Sequence, residues 1–193
     1  MRIEALLLGI LTLYSTGFQS DRETGYSSIR EIDFGNFTYP ARPSIGGRGA
    51  FTLRNGEMLP ERDADGHVIG MWLKLLKVFY GDITGDGAEE AIVIHDWITG
   101  GSATPHVVYV YTLEKGRPKF LWGTTTGDRA DGGLKSAYAE GGNMVLETYS
   151  PEGKRGDCCP IAYVKTRYQL HGNKISIVGK PEVFPLSNKT KYE

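Results

Sequence analysis

The chain has 193 residues, with 22 basic and 23 acidic side chains and a formal net charge of −1. This length fits one domain, and the near-neutral charge excludes the basic surface that sequence-independent nucleic-acid binding requires. Two cysteines are too few for a disulfide-dense miniprotein framework. The 26 glycines are about twice the usual share and predict many turns and left-handed backbone positions.

The chain begins with a segment that predicts export. Residues 5–14 form an apolar run that is too short to span a hydrocarbon core of about 30 Å as a helix. The run has the length of the hydrophobic region of a signal peptide, and Ser15 and Gly17 are small residues at the −3 and −1 positions of a cleavage site. We predict a signal peptide over residues 1–17, no membrane span in the mature chain, and a periplasmic or secreted location. The alternatives are an uncleaved anchor and a buried first segment.

The body of the chain, residues 18–186, consists of short apolar runs separated by turn-forming residues, which is typical of strands. Candidate turns between such runs are Asn55 with Gly56, and residues 114–116, 141–143 and 171–173. This spacing indicates hairpins. We predict an all-β domain over 18–186, an antiparallel meander that forms a sandwich or a partial, propeller-like stack of sheets. A flexible tail follows over 187–193.

Three stretches fix the predicted strand positions. Residues 70–80 fit either a strand or one face of a helix, and we favour a strand because the run ends in a glycine-rich turn without a helix cap. Residues 91–94 and 107–111 are apolar on both faces, which predicts central strands covered on both sides. Residues 163–170 alternate, with Lys165 and Arg167 on the face that we expect to be solvated.

The strongest local motif lies between residues 81 and 93. Its candidate ligands are oxygens at alternating positions: Asp82, Thr84, Asp86, Ala88 through its carbonyl, and Glu90. Gly87 permits a sharp turn, and alternating oxygens around a turn suit Ca²⁺, which takes about six to eight oxygen ligands. The alternative is an ion-free turn in which Asp82 and Asp86 accept hydrogen bonds from backbone N–H groups.

This motif resembles the D-x-[DN]-x-D-G-x-x-[DE] calcium loops of FG-GAP and VCBS-type repeats, which also precede an apolar strand. Thr84 stands where those loops carry Asp or Asn. Over residues 70–170, with the runs 100–103, 126–134 and 158–160, the chain is also similar to a group of uncharacterised exported bacterial β proteins. The resemblance implies a β fold and export, and it implies no activity.

Two further sites have a functional and a structural interpretation. Asp128, Arg129 and Asp131 are a candidate recognition loop, in which the guanidinium can meet a carboxylate or a sugar. The alternative is an internal Asp–Arg pair that fixes a long turn. The shorter acidic turn at Asp63 and Asp65 is predicted to be a solvated loop.

The two cysteines, Cys158 and Cys159, are adjacent. Neighbouring Cα atoms lie about 3.8 Å apart, which is below the usual disulfide span of about 4.4–6.8 Å, so a bond between them is strained. Export favours oxidation, and the sequence holds no third cysteine. We predict a vicinal disulfide that stiffens the loop before Pro160. Two reduced thiols are the alternative.

Strong catalytic signatures are missing from the sequence: it has no G-x-S-x-G, H-E-x-x-H or G-x-x-x-x-G-K-[ST] run. We therefore predict no catalytic residue and no cofactor other than calcium. The predicted function is that of a non-enzymatic binding or structural module whose partner is a protein or a glycan. The four histidines are scattered and predicted to lie at the surface or at strand ends: His67, His95, His106 and His171. The alternative function is a small secreted hydrolase that uses carboxylates or His95 with Ser102.

Overall fold

The computed structural model describes residues 25–41, 49–58, 62–67, 72–99, 101–103, 105–129, 131–152 and 159–186. These residues form one 3₁₀ turn, Ile29–Glu31, and eleven strands: β1 (Thr38–Tyr39), β2 (Phe51–Thr52), β3 (Glu57–Met58), β4 (Trp72–Gly81), β5 (Glu90–Ile98), β6 (His106–Glu114), β7 (Arg117–Thr125), β8 (Leu134–Glu140), β9 (Asn143–Tyr149), β10 (Ala162–His171) and β11 (Lys174–Pro185). The predicted signal peptide and the predicted C-terminal tail lie outside the described residues. In the described part of the chain, no helix has the length and apolar character needed to cross a membrane.

The strands belong to three antiparallel sheets. Strands β3 to β7 form a five-stranded sheet, β8 to β11 form a four-stranded sheet, and β1 pairs with β2. Consecutive strands are neighbours within both larger sheets, so each is a meander. The two larger sheets pack face to face, which confirms the predicted all-β antiparallel meander in its sandwich form.

The predicted hairpin turns are confirmed, and glycine or asparagine occupies most of their positions with a positive φ angle. Asn55 and Gly56 have φ values of 52° and 83° between the bridged residues on either side, and Gly141 and Gly142 have φ values of 59° and 72°. Two consecutive positive φ angles define the tight turn whose twist matches that of antiparallel strands. Local sequence chemistry therefore sets the hairpin register at these places.

Apolar cores cover both faces of the five-stranded sheet. The inter-sheet core, between the two large sheets, contains Ile83, Ile92, Ile94, Val108, Val110, Leu121, Leu134, Ala137, Met144, Leu146 and Leu170. The second core lies on the opposite face under residues 25–41 and 49–53, which we call the N-terminal layer. It contains Ile29, Ile32, Phe34, Tyr39, Phe51, Leu53, Leu73, Ala91, Val93, Val107, Tyr109 and Tyr111. The prediction that 91–94 and 107–111 are central strands covered on both sides is confirmed.

The other two strand predictions also agree with the structure. Trp72–Gly81 is a strand, so the helical interpretation of residues 70–80 is wrong for its described part. In β10, Leu170 is buried in the inter-sheet core, and Tyr168 stacks on Trp122 with ring centroids 6.1 Å apart. Lys165 and Arg167 lie on the opposite face and form ion pairs there.

Candidate functional site

The acidic motif forms the connection between β4 and β5, and we call residues 82–89 the junction loop. Asp82 organises this loop: its Oδ1 accepts hydrogen bonds from the backbone N–H of Thr84 (3.2 Å) and Gly85 (2.6 Å), and its Oδ2 accepts one from Gly87 (3.1 Å). These donors, led by Gly85, hold the pKa of Asp82 below its ordinary value because they stabilise the charged form. Asp86 accepts from the Ala88 N–H at 2.9 Å.

Glu90, at the start of β5, is a fully buried carboxyl group. Its exposed fraction is 0%, and its two oxygens accept hydrogen bonds from the Ile83 N–H (3.0 Å) and the Thr112 hydroxyl (3.1 Å). Burial raises the pKa of Glu90, and the negative charges of Asp86 and Asp82 add to this effect, while the two hydrogen bonds oppose it. Glu90 thus fixes the end of the junction loop to β6, the next strand of the sheet.

The junction loop contacts all three layers of the protein. Glu89 receives a two-pronged ion pair from Arg30 of the N-terminal layer, with N–O distances of 2.6 and 2.7 Å. Ile83 is buried in the inter-sheet core. Gly85 lies close to the β8–β9 turn, because a Cβ added to Gly142 would lie 3.2 Å from the Gly85 Cα. The loop therefore joins the N-terminal layer, the five-stranded sheet and the four-stranded sheet.

The predicted calcium ligands are only partly arranged as a cation site. Thr84 Oγ1 is buried without a hydrogen-bond partner, which suits a metal ligand. The carboxylates of Asp82, Asp86 and Glu90, however, already accept hydrogen bonds within the protein. They also do not form a group of three ligand atoms within 4.8 Å of one another. This geometry fits the ion-free turn, and calcium at this loop stays a prediction.

Among the described residues, Asp63, Asp65 and His67 are the one group of three His, Cys, Asp or Glu side chains with ligand atoms that close together. Asp63 Oδ1 accepts hydrogen bonds from the backbone N–H of Asp65 (3.0 Å) and His67 (2.8 Å), and Asp63 Oδ2 lies 3.2 Å from His67 Nδ1. These are the contacts of an exposed turn. The acidic turn predicted from the sequence contains Asp63 and Asp65 only, and the four-residue spacing of His67 from Asp63 is the signal that would add this histidine.

The prediction that His95 lies at the surface or at a strand end is wrong, because β5 is covered on both faces. Its imidazole is fully buried among the rings of Tyr39, Phe51 and Tyr109, at centroid distances of 4.5, 6.3 and 5.6 Å. Neither ring nitrogen makes a hydrogen bond of normal geometry. Burial lowers the pKa of His95 to about 3, and the backbone of Val107 opposes this shift only in part.

An acid–base pair that is not predicted from the sequence lies on the other face of the same sheet. His106 Nε2 is 3.1 Å from Asp96 Oδ1, and these residues are direct partners across β5 and β6. Burial lowers the pKa of His106, against the opposing charges of Asp96 and Asp128. Consecutive residues of a strand point to opposite faces, so His95 and Asp96 are not one cluster, and Ser102 is exposed in the loop beyond.

The candidate recognition loop is a compact, glycine-dependent turn. The Asp131 N–H donates to the Asp128 carbonyl (2.7 Å), and the Gly132 N–H donates to the Tyr149 carbonyl (3.0 Å), which fixes the loop to β9. A Cβ on Gly127 would lie 1.7 Å from the Asp131 carbonyl oxygen, so only glycine fits there. Arg129 has a φ of 38°. Recognition by Asp128, Arg129 and Asp131 stays a prediction. The vicinal disulfide also stays a prediction, because Cys158 lies outside the described residues.

The face of the four-stranded sheet that points away from the inter-sheet core forms a second candidate site, which we call the outer face. It carries Lys135, Tyr138, Glu140, Glu147, Tyr149, Tyr163, Lys165, Arg167, Glu182 and Phe184. Of these residues, only Lys165 and Arg167 are predicted from the sequence to lie on a solvated face. The other residues come from four strands, and the register of those strands places them together.

Comparisons of this chain with protein-family models, with curated proteins and with solved structures find no match. The junction loop and the outer face are therefore interpreted from their own chemistry.

Proposed function

We propose that this protein is an exported, non-enzymatic β-sandwich module that binds a partner, and that the junction loop braces its three layers. The observation that carries the proposal is that the acidic side chains of the junction loop and of Glu90 already have hydrogen-bond partners within the protein. Asp82, Asp86, Glu89 and Glu90 each accept hydrogen bonds from groups of the protein itself. Acidic groups with such partners act as structural acceptors, whereas catalysis requires convergent acid and base groups at one pocket.

The brace is tested by removing its buried carboxyl group. We expect Glu90→Ala to lower the free energy of unfolding by about 3 kcal/mol, because the Ile83 N–H and the Thr112 hydroxyl lose their buried acceptor. Glu89→Ala is the matched comparison within the brace, and we expect it to cost less than Glu90→Ala, since the ion pair of Glu89 with Arg30 is exposed and screened by solvent. Urea unfolding of both variants at pH 7 measures the difference. Equal losses would show that the buried acceptor has no special role.

Calcium adds a second component to this proposal, with Asp82, Thr84, Asp86, Ala88 and Glu90 as its ligands. If the loop binds calcium, 1 mM CaCl₂ raises the melting temperature of the mature chain, EGTA reverses the rise, and Asp86→Asn abolishes it. Asp63→Asn is the control, because it alters the other acidic turn and leaves the junction loop intact. An identical melting temperature in calcium and in EGTA would show that the loop is complete without an ion.

A small secreted hydrolase is the second candidate function, and the Asp96–His106 pair is the observation that favours it. Asp96 lies where it can orient the His106 ring, and a buried His106 Nδ1 has no hydrogen-bond partner. A hydrolase built on this pair would lose activity in the His106→Asn variant. A binding module would keep its binding in the same variant.

A further inference from the structure

The outer face carries an aromatic row and a charged row side by side. Tyr163 of β10 is the direct partner of Tyr149 in β9 and of Phe184 in β11, so three rings lie across three neighbouring strands. Neighbouring strands are about 4.8 Å apart, which makes this row about 10 Å long. Two residues further along β10, Lys165 is the direct partner of Glu147 and of Glu182.

The central ring of the aromatic row is held in place by its neighbours. Tyr163 stacks on Phe184 with ring centroids 5.4 Å apart and an interplanar angle of 21°, and Lys135 Nζ lies 4.0 Å from the centroid of Tyr163. Within the described residues, Phe184 has no second ring contact and Tyr149 has none. Tyr149 and Phe184 are both half-buried, so part of each ring stays exposed to solvent.

The charged side chains of the outer face neutralise one another. Lys135 pairs with Glu147, and Lys165 pairs with Glu140 at 2.9 Å. Arg167 pairs with Glu140 at 3.1 Å and also with Glu182. Three cations thus face three carboxylates, and their formal charges sum to zero. A surface of this kind does not attract a strongly charged ligand, because electrostatic attraction needs an opposite potential.

These pairs also hold hydrogen-bonding groups in fixed positions. The exposed fraction of the side chain is only 13% for Lys165 and 10% for Glu147. Side chains that are already immobilised lose little conformational entropy when a ligand binds. A hydroxyl group both donates and accepts, so a polyhydroxylated ligand can bond to the paired groups that stay partly exposed, Arg167 at 32%, Glu140 at 45% and Glu182 at 48%.

We propose that the outer face binds a neutral, extended polysaccharide. Its sugar rings pack on Tyr149 and Phe184, and its hydroxyl groups bond to the paired charged side chains of the neighbouring row. A protein partner fits this face less well, because charged residues are depleted at the centre of protein–protein interfaces, and Lys165 with Glu147 occupies the centre here. This inference rests on the proposed binding function and names its ligand class.

Isothermal titration calorimetry on the mature chain tests this inference, with the hexaoses of the cello, chito, xylo, manno and malto series as neutral probes and heparin as the anionic probe. We expect at least one neutral hexaose to bind. We expect Phe184→Ala and Tyr149→Ala each to weaken that binding at least tenfold. Phe120→Ala is the matched control, because Phe120 is an exposed aromatic residue of the other large sheet, and it should leave the affinity unchanged. Circular dichroism verifies that each variant is folded.

The outcomes separate this inference from the proposed function. Absence of binding by all five neutral hexaoses, tighter binding of heparin, or an equal loss in Phe120→Ala would each overturn the assignment of the ligand and the face. Mass spectrometry of the sugar after incubation provides a further readout. Release of shorter oligosaccharides would contradict the non-enzymatic proposal, while a tenfold loss of affinity in Phe184→Ala would still support the outer face as the binding surface.

Discussion

The two faces of the five-stranded sheet are covered by different means and with different side chains. Toward the four-stranded sheet the buried side chains are all aliphatic, and the rings of Phe79, Trp122 and Tyr168 pack against them only partly buried. Toward the N-terminal layer the core is rich in rings, and its cover consists of a 3₁₀ turn, two short strands and irregular chain. The inter-sheet core packs by close fitting of aliphatic side chains, whereas the second core packs largely through ring–ring contacts, such as the edge-on contact of Phe37 with Tyr39 at 5.0 Å.

The two cores also differ in the polar groups that they contain. The aromatic core contains the hydroxyl groups of Tyr39 and Tyr109, which donate to the Phe34 carbonyl (2.6 Å) and the Pro40 carbonyl (3.2 Å), and it contains the buried imidazole of His95. The buried members of the inter-sheet core are all apolar. We therefore expect the aromatic core to depend on specific geometry and, through His95, on pH, and the buried aliphatic members of the inter-sheet core to depend mainly on volume.

The largest expected effect comes from removing the ring at the centre of the aromatic core. Tyr39 is fully buried and has the rings of Phe37, Phe51 and His95 within about 5 Å. We expect Tyr39→Ala to lower the free energy of unfolding by about 4 kcal/mol. Leu146→Ala, in the inter-sheet core, should cost about 3 kcal/mol. Urea unfolding at pH 7 measures both, and a smaller loss for Tyr39→Ala would show that the N-terminal layer is packed more loosely than the sandwich.

The second largest expected effect is a dependence of stability on pH that comes from His95 in the aromatic core. The pKa of His95 is lowered from an unfolded value near 6.5 to about 3, so the unfolded chain takes up a proton first as the pH falls. The stability contributed by neutral His95 is therefore complete above pH 6.5 and is lost progressively as the pH falls toward 3. At pH 4 this loss amounts to about 3 kcal/mol.

His95→Leu tests this pH dependence, because it keeps an apolar side chain in the cavity and removes the titrating group. Between pH 7 and pH 4, wild type should lose about 3 kcal/mol more stability than His95→Leu. Leu146→Ala serves as the control from the inter-sheet core, and its stability should fall with pH in parallel with that of wild type. Parallel curves for wild type and His95→Leu would contradict a buried neutral imidazole.

The sequence predicts those features that depend on local chemistry. Asn55 with Gly56 favours a tight turn between two strand-forming runs, and the apolar run 91–94 predicts a strand that is covered on both faces. The sequence does not identify which part of the chain covers this strand. One cover is the N-terminal layer, which is joined to the junction loop by Arg30 and Glu89, two residues that lie 59 positions apart in sequence. Contacts of this kind depend on how distant parts of the chain fold onto one another, and the periodicity of a local segment does not predict such contacts.

The candidate sites show the same limit. The alternation of oxygen-bearing residues from Asp82 to Glu90 is visible in the sequence, but burial decides whether an oxygen binds a cation or a backbone N–H. Glu90 is buried by strands on both sides, so its oxygens bond to Ile83 and Thr112. The aromatic row on the outer face is a product of strand register, because Tyr149, Tyr163 and Phe184 are brought together only by the pairing of β9, β10 and β11.

The smallest expected effect concerns the distance between the two large sheets. At the edge where β4 faces β8, a Cβ added to Gly81 would lie 2.5 Å from the Ala139 Cβ. Gly81→Ala should therefore push the sheets apart and lower the free energy of unfolding by about 2 kcal/mol.

A second substitution separates this steric effect from a change in the backbone. Ala139→Gly removes the methyl group that Gly81→Ala would meet, so the double variant should regain most of the stability that Gly81→Ala loses. The interaction energy of this double-mutant cycle measures the contact itself. Additive losses in the cycle would mean that the contact between positions 81 and 139 does not set the distance between the two large sheets.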